Sequence, residues 1–426
     1  QEDYTFDTLG SYDVGTVNAV SGVTSEFGNI NLDTEGTITV GQVVESLTGS
    51  VAVTATGAGA IVNVGANVSG DDVTITGATL NVTAATENAI GGTTLDAVAG
   101  TLNIDFPVTA HGSLDLNGDT NILLAGNLQA DDSITVNDGL EVDGSSSITA
   151  DDGDVSFGST VSADAAGIDL AVSAGDTVTF GGNVADNAGA NTVLNDLAVD
   201  AATLLVGAGV ITVENDLNLG GTNNVVVDEN GVYTANAGSI TFNANGNLDS
   251  GADAGTETLQ LVATVGNVVL GTIGNSVPLA GLDVDATGIG IINNNITVAG
   301  AIDFAGSANV DLSGDSSITS TAAGAVTFGT DVDGPFALQI TNQSGAVTVE
   351  SVGANDRLDS LSLTSQTLTV TVNGASNTTG PIDIDALDTA TIGGAMDSVA
   401  GDIDVTGGAV TTAAAGTITT AGDINI

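Results

Sequence analysis

Short apolar–x–apolar triplets recur along this chain, set apart by clusters of Gly, Asn, Asp and Ser. ITV stands at Ile134–Val136, Ile211–Val213 and Ile296–Val298, and ITF or VTF at Ile240–Phe242 and Val326–Phe328. Alternation over three residues puts both apolar side chains on one face of a strand, and the turn residues end it. No stretch holds a helical period over a useful length. The pattern predicts strands and turns from about residue 30 onward.

The triplets belong to a longer repeat. Ile296, Val298, Ile302, Phe304, Val310 and Leu312 fall on Ile211, Val213, Leu217, Leu219, Val225 and Val227 at one offset of 85. After one inserted residue, Ile318, Gly324, Val326 and Phe328 fall on Val232, Gly238, Ile240 and Phe242. Leu194, Leu197 and Val199 recur as Leu279, Leu282 and Val284, and again, 79 residues later, as Leu358, Leu361 and Leu363. Gly266–Val284 and Gly345–Leu363 align without a gap. A repeat of 79 to 86 residues, clearest over 126–384, divides into four turns of about 20 residues, the size of one rung of a β-helix. The expected fold is all-β, a single elongated parallel β-helix (β-solenoid) over 31–426. Roughly 20 rungs at about 4.8 Å would make a rod on the order of 100 Å long. Equivalent inward positions would stack as apolar ladders, and Asn293, Asn294 and Asn295 are candidates for an Asn ladder at a turn.

Composition sharpens this. Of 426 residues 42% are hydrophobic but only 3% aromatic, so Val, Ile, Leu and Ala must build the core. Four of the twelve aromatics, Tyr4, Phe6, Tyr12 and Phe27, crowd into residues 1–30. That segment reads as an N-terminal cap over the first rung or as a segment that docks onto a neighbour. Cysteine is absent, which removes disulfides and thiol chemistry. The sole methionine is Met396, so residue 1 is no initiator, and the expectation is a processed, exported chain.

Charge is the other outstanding fact. One basic residue, Arg357, faces 53 acidic ones, for a net charge of −52. Such a surface repels nucleic acid and anionic membrane, keeps the chain soluble and attracts cations. The ITF/VTF strands, the G-x-I/V-G…L-x-x-L-x-V segment and the GAIDF strand at 300–304 together resemble filamentous-haemagglutinin-like bacterial exoproteins, also described as β-strand-repeat proteins. The resemblance covers most of 126–384. It implies a right-handed β-helix, export across the envelope and a role in adhesion or surface structure. Asn-Pro-Asn motifs of the secretion domain carried by two-partner-secreted members are missing.

Catalytic equipment is sparse. His111 is the only histidine and sits in a turn, Arg357 has Asp356 and Asp359 as neighbours for a local ion pair, and no lysine or cysteine is present. Polysaccharide lyases on β-helices need clustered basic groups, and nothing singles out a carboxylate pair for glycoside hydrolysis. The expectation is no enzyme and no required cofactor. Calcium is the one candidate ligand: Asp138, Asp143, Asp151, Asp152 and Asp154 cluster at successive turns, and Asp331 and Asp333 precede Gly334. Neither a GGxGxD nonapeptide nor an EF-hand loop occurs. Asn67, Asn81, Asn295, Asn342 and Asn377 open Asn-x-Ser/Thr triplets, which mark candidate glycosylation sites.

The leading expectation is a secreted structural protein that forms an extracellular filament, fibre or surface layer through contacts between copies, head to tail, with Tyr4, Phe6, Tyr12 and Phe27 as candidate assembly residues. The alternatives are an adhesin stalk and a calcium-dependent surface layer. No nucleic acid and no membrane insertion are expected.

Overall fold

The computed structural model describes residues 3–426 apart from 18–19, 85, 88–90, 186–191, 208, 244, 252–255 and 414–416. Among the described residues there is no helix. The chain coils as a β-solenoid of about 18 turns of roughly 22 residues, slightly fewer and longer turns than the repeat suggested. It divides into two units, 1–208 and 209–426. Each turn carries three strand positions joined by corners, and each strand pairs in parallel with the strand one turn before and one turn after. Backbone donors and acceptors are thereby used between turns, which is how irregular corners and short strands can coexist with a dry interior.

In the first unit one face runs Ile30, Val51, Val73, Thr93, Leu114, Ile134, Val155, Val178, each in register with the next. A second face runs Ile38, Val62, Leu80, Leu102, Ile122, Leu140, Val161. A third carries Thr86, Val108, Leu128, Ile148, Val172, Val199. Every apolar residue in these rows is buried. Pairing already begins at Tyr4: strands Tyr4–Thr8 and Tyr12–Val14 lie in parallel register on Ile30–Thr34 and Ile38–Val40.

The second unit repeats the plan. One ladder holds Val225, Leu248, Ile273, Ile296, Ile318, Ile340, Leu363, Ile384 and Val405. Another holds Leu217, Ile240, Val268, Gly290, Val310 and Val332. The remaining one holds Ile211, Tyr233, Leu261 and Val284, then Phe328, Val349, Val372 and Ile392, with Phe304 stacked on Phe328 at 4.9 Å between ring centroids. In the first unit Phe157 stacks on Phe180 in the same way, at 5.0 Å.

These ladders revise the sequence repeat. Ile296 and its counterpart Ile211 stand on different faces, as do Ile302 and Leu217, and Val310 and Val225. From Ile211–Val213 to Ile296–Val298 there are eleven strand steps. At three steps per turn, 85 residues make three and two-thirds turns rather than four, so the repeat returns rotated by one face. It counts strands, not rungs. One pairing in it also fails: Ile318 is buried, whereas its counterpart Val232 is 39% exposed and the adjacent Tyr233 takes the inward position.

Tyr233 is a costly occupant. It is fully buried, its hydroxyl has no hydrogen-bond partner, and burial pushes the phenol above its ordinary pKa. An unsatisfied buried hydroxyl costs about 1–3 kcal/mol. Tyr233→Phe is therefore expected to stabilise the second unit by about 1 kcal/mol, read as a higher urea midpoint at unchanged slope.

Corners use polar side chains to tie one turn to the next. Asp3 Oδ1 accepts from Asn29 N at 3.0 Å, and Asn29 Oδ1 in turn accepts from Ser50 N at 2.9 Å. Asn295 accepts from Ser317 N, Asp315 from Ala337 N and Asp402 from Asp423 N. This staircase explains why short polar residues precede so many strands: they satisfy corner N–H groups that the ladder misses. Two corner glycines, Gly274 and Gly353, have φ of 67° and 64° and lie so close to the next turn that a Cβ would sit 2.0 and 2.2 Å from the oxygens of Thr297 and Asn377. Only glycine fits both conditions.

Candidate functional surfaces

The interior offers no chamber for a substrate among the described residues: it is filled turn by turn by the ladders above. The open hollow of about 360 Å³ lies instead at the first turn, lined by Tyr4, Phe6, Tyr12, Val14, Ile30 and Leu32 among others. Tyr4 and Phe6 are in register with buried Ile30 and Leu32, yet each is 53% exposed. Phe6 meets Tyr12 edge-on, with centroids 4.7 Å apart. Burial and the charges of Asp33 and Asp7 raise the Tyr12 phenol above its ordinary pKa. Phe27 is also exposed, as are Leu9, Val43 and Leu47. Of the four aromatics singled out in the sequence, Tyr4, Phe6 and Tyr12 thus come together on one uncovered end of the ladder. Phe27 is not part of the hollow's lining.

The acidic candidates go to separate corners. Asp138 accepts from Gly118 N at 2.9 Å. Asp143 faces Asp164 and Asp105, and burial first, then those charges, raises its carboxyl. Asp151 accepts from Gln129, and Asp154 Oδ1 accepts from Thr177 N at 2.9 Å as a step of the corner staircase. Asp152 donates its backbone N–H to Asp131 O. Among the described residues no group of three or more His, Asp or Glu converges as a metal site.

Carboxylates do stack elsewhere, in a way that spacing alone did not reveal. Asp283 is in register with Asp303, Asp311 with Asp333, and Asp383 with Asp404. Burial, then the neighbouring carboxylates, holds Asp283, Asp311 and Asp383 above the usual range. Asp331 and Asp96 are raised by burial and by neighbouring acids in the same way. Amides soften the contacts: Gln260 donates to both Asp283 and Asp285, and Asn309 to Asp311 and Asp333. Glu257 goes the other way. Hydrogen bonds from Ser250 and Thr256 hold its buried carboxyl below the usual range.

The two basic candidates are structural. Arg357 does not pair with Asp356 or Asp359. Its guanidinium bonds the carboxylate of Asp397 and also donates to Thr378 O at 3.2 Å and Asp397 O at 3.3 Å. Thr378 is paired to Leu358 one turn on, and Asp397 to Asn377 one turn further, so the side chain staples three successive turns. His111 Nδ1 lies 3.1 Å from Asp131 Oδ2, half exposed, with no nucleophile in reach of a catalytic arrangement.

The polar ladders also differ from expectation. Asn293 and Asn295 bond the backbone and Ser313 rather than one another. An Asn ladder forms instead at Asn63, Asn81 and Asn103, joined by bonds of 2.8 and 2.6 Å on an outward face. Of the five Asn-x-Ser/Thr sites, Asn342 is fully buried, donating to Gly324 O and Ala346 O, so a glycan on it is incompatible with this fold. Asn295 is the exposed one among Asn81, Asn295, Asn342 and Asn377.

No protein family, curated protein or solved structure matches this chain. No helix is long and apolar enough to cross a membrane.

Proposed function

We propose that this chain is a secreted structural protein that builds an extracellular filament, fibre or surface layer from copies of itself, with no enzymatic role. The observation that carries this reading is the ladder: three inward positions per turn are filled by stacked apolar side chains over both units, and little else is built. The chemistry-bearing groups that do occur, Arg357 and the corner carboxylates, are engaged in tying turns together. Outward faces carry nearly all of a net charge of −52, which keeps the flanks of neighbouring molecules apart at low ionic strength. Growth is then confined to contacts that avoid the flanks. The resemblance to bacterial exoproteins points the same way. Electron microscopy of the purified chain across a range of concentrations tests this: filaments or sheets are the expected result, and monodisperse single particles at every concentration would overturn it.

A further inference from the structure

We infer that the first described turn receives the last described turn of a second copy by parallel strand addition, in one defined register. This rests on the structural reading above and names the surface it would use. Three sets of residues argue for it.

The first is the match of side chains. Tyr4-x-Phe6 and Ile424-x-Ile426 are both exposed apolar pairs at strand spacing, and each is stacked on one side only: Tyr4 on Ile30, Ile424 on Ile403. Laid together they bury four large apolar side chains. If Tyr4 meets Ile424, the order of strands around the turn brings Tyr12-x-Val14 onto Val410-x-Thr412 and Val23-x-Ser25 onto Ile418-x-Thr420. Apolar residues then meet on all three faces. On the third face a hydroxyl also meets a hydroxyl, as Ser25 and Ser46 or Ser398 and Thr420 already do within the chain.

Backbone polarity is the second. Tyr4 donates its N–H to Asn29 O, and Ile403 donates to Asp423 O, so each strand gives the N–H of its inward residue to the following turn. By the same geometry Ile424 N–H points out of the last turn and Thr5 N–H points out of the first. In the joined pair Ile424 N donates to Asp3 O and Thr5 N donates to Ile424 O, the parallel ladder pattern. Such open edges are templates for strand addition.

The third is the corner staircase. Asp402 Oδ1 accepts from Asp423 N at 2.9 Å, Asp3 Oδ1 accepts from Asn29 N at 3.0 Å, and Asn29 accepts from Ser50 N. Asp423 of one copy is placed to accept the N–H of Asp3 of the next, which continues the staircase through the junction. The contact is heterologous, so it does not close on itself and can propagate.

The register is testable because the chain has no cysteine. Thr5 and Asn425 become neighbours across the junction, at the spacing of in-register parallel strands, which suits a disulfide. The full-length double variant Thr5→Cys/Asn425→Cys, oxidised in moderate salt, is expected to give a ladder of covalent multimers on a non-reducing gel. The pair Thr5→Cys/Thr419→Cys, which the register puts on different faces, is expected to give at least tenfold less. Equal crosslinking by both pairs, or none by either while microscopy shows assemblies, would overturn the junction and leave the structural reading intact. Single particles under every condition would overturn both.

Discussion

Phe304→Ala is expected to lower the melting temperature of the second unit by roughly 6–20 °C, the equivalent of about 3–5 kcal/mol for a buried aromatic truncated in a domain of this size. The reason is the ladder. Phe304 is fully buried and its ring lies almost parallel to that of Phe328, at 6° between planes. Phe328 in turn stands in register with Val349, which stands on Val372 and then Ile392. Gly290, whose added Cβ would lie 3.6 Å from the Phe304 ring, leaves the space that the ring fills. Truncation opens a void that fixed neighbouring turns cannot collapse into, since their backbones are pinned by hydrogen bonds above and below. Phe304→Leu, which keeps most of the volume, should cost about 1 kcal/mol. Phe27→Ala, at an exposed corner, should stay within about 0.5 kcal/mol. Calorimetry of the three variants checks the order. A Phe304→Ala melt indistinguishable from wild type would mean that the stacked rings are not a determinant of the core.

The same ladder shows what could be seen in the sequence and what could not. Apolar–x–apolar triplets such as Ile296–Val298 and Val326–Phe328 give strand and inward face at once, because a period of two is a property of each strand alone. The aligned glycines of the TIG and SVG corners, Gly274 and Gly353, likewise take the same left-handed conformation, since a steric demand on one residue is local. Turn length is not local. A repeat of eleven strands on a three-strand turn cannot be told from one of twelve without knowing which strand lies above which, and so 85 residues were divided by four. Register by one residue is equally hidden: Val232 and Tyr233 both suit a strand, and only stacking between Ile211 and Leu261 selects Tyr233. For the candidate surfaces, the crowding of Tyr4, Phe6 and Tyr12 was visible as composition. That Tyr4 and Phe6 continue a buried ladder outward was not. Arg357 found its partner 40 residues on, where no neighbour rule reaches. Asn63, Asn81 and Asn103 were passed over because their spacings of 18 and 22 are unequal, while Asn293–Asn295 drew notice only by adjacency.

Acidification from pH 7.5 to about 5 in low salt is expected to raise the melting temperature, on the order of 5–10 °C, before solubility becomes limiting. The sign follows from the stacked carboxylates. Asp96, Asp143, Asp283, Asp311, Asp331 and Asp383 all have folded pKa values raised above 3.8, by burial first and by adjacent acids second. A raised acid binds protons more tightly folded than unfolded, so its contribution is complete below the unfolded value and fades as pH rises through the folded one. Glu257 opposes this, since its lowered value contributes stability that is lost only as pH falls through that value. One such group stands against six. The usual acid unfolding is also weak here: with one arginine and one histidine, protonating every carboxylate leaves almost no positive charge to repel. Most of these acids are partly solvated, so salt should act on the same interaction. In 1 M NaCl, where the screening length is about 3 Å, the melt at pH 7.5 should rise and the gap between the two pH values should narrow. Asp311→Asn should reproduce a part of the gain at pH 7.5 by removing one carboxylate from the stack with Asp333 while keeping its shape. A melting temperature that falls steadily from pH 7.5 to 5 would show that the stacked carboxylates stabilise the ladder in their charged form, through bound cations rather than despite mutual repulsion.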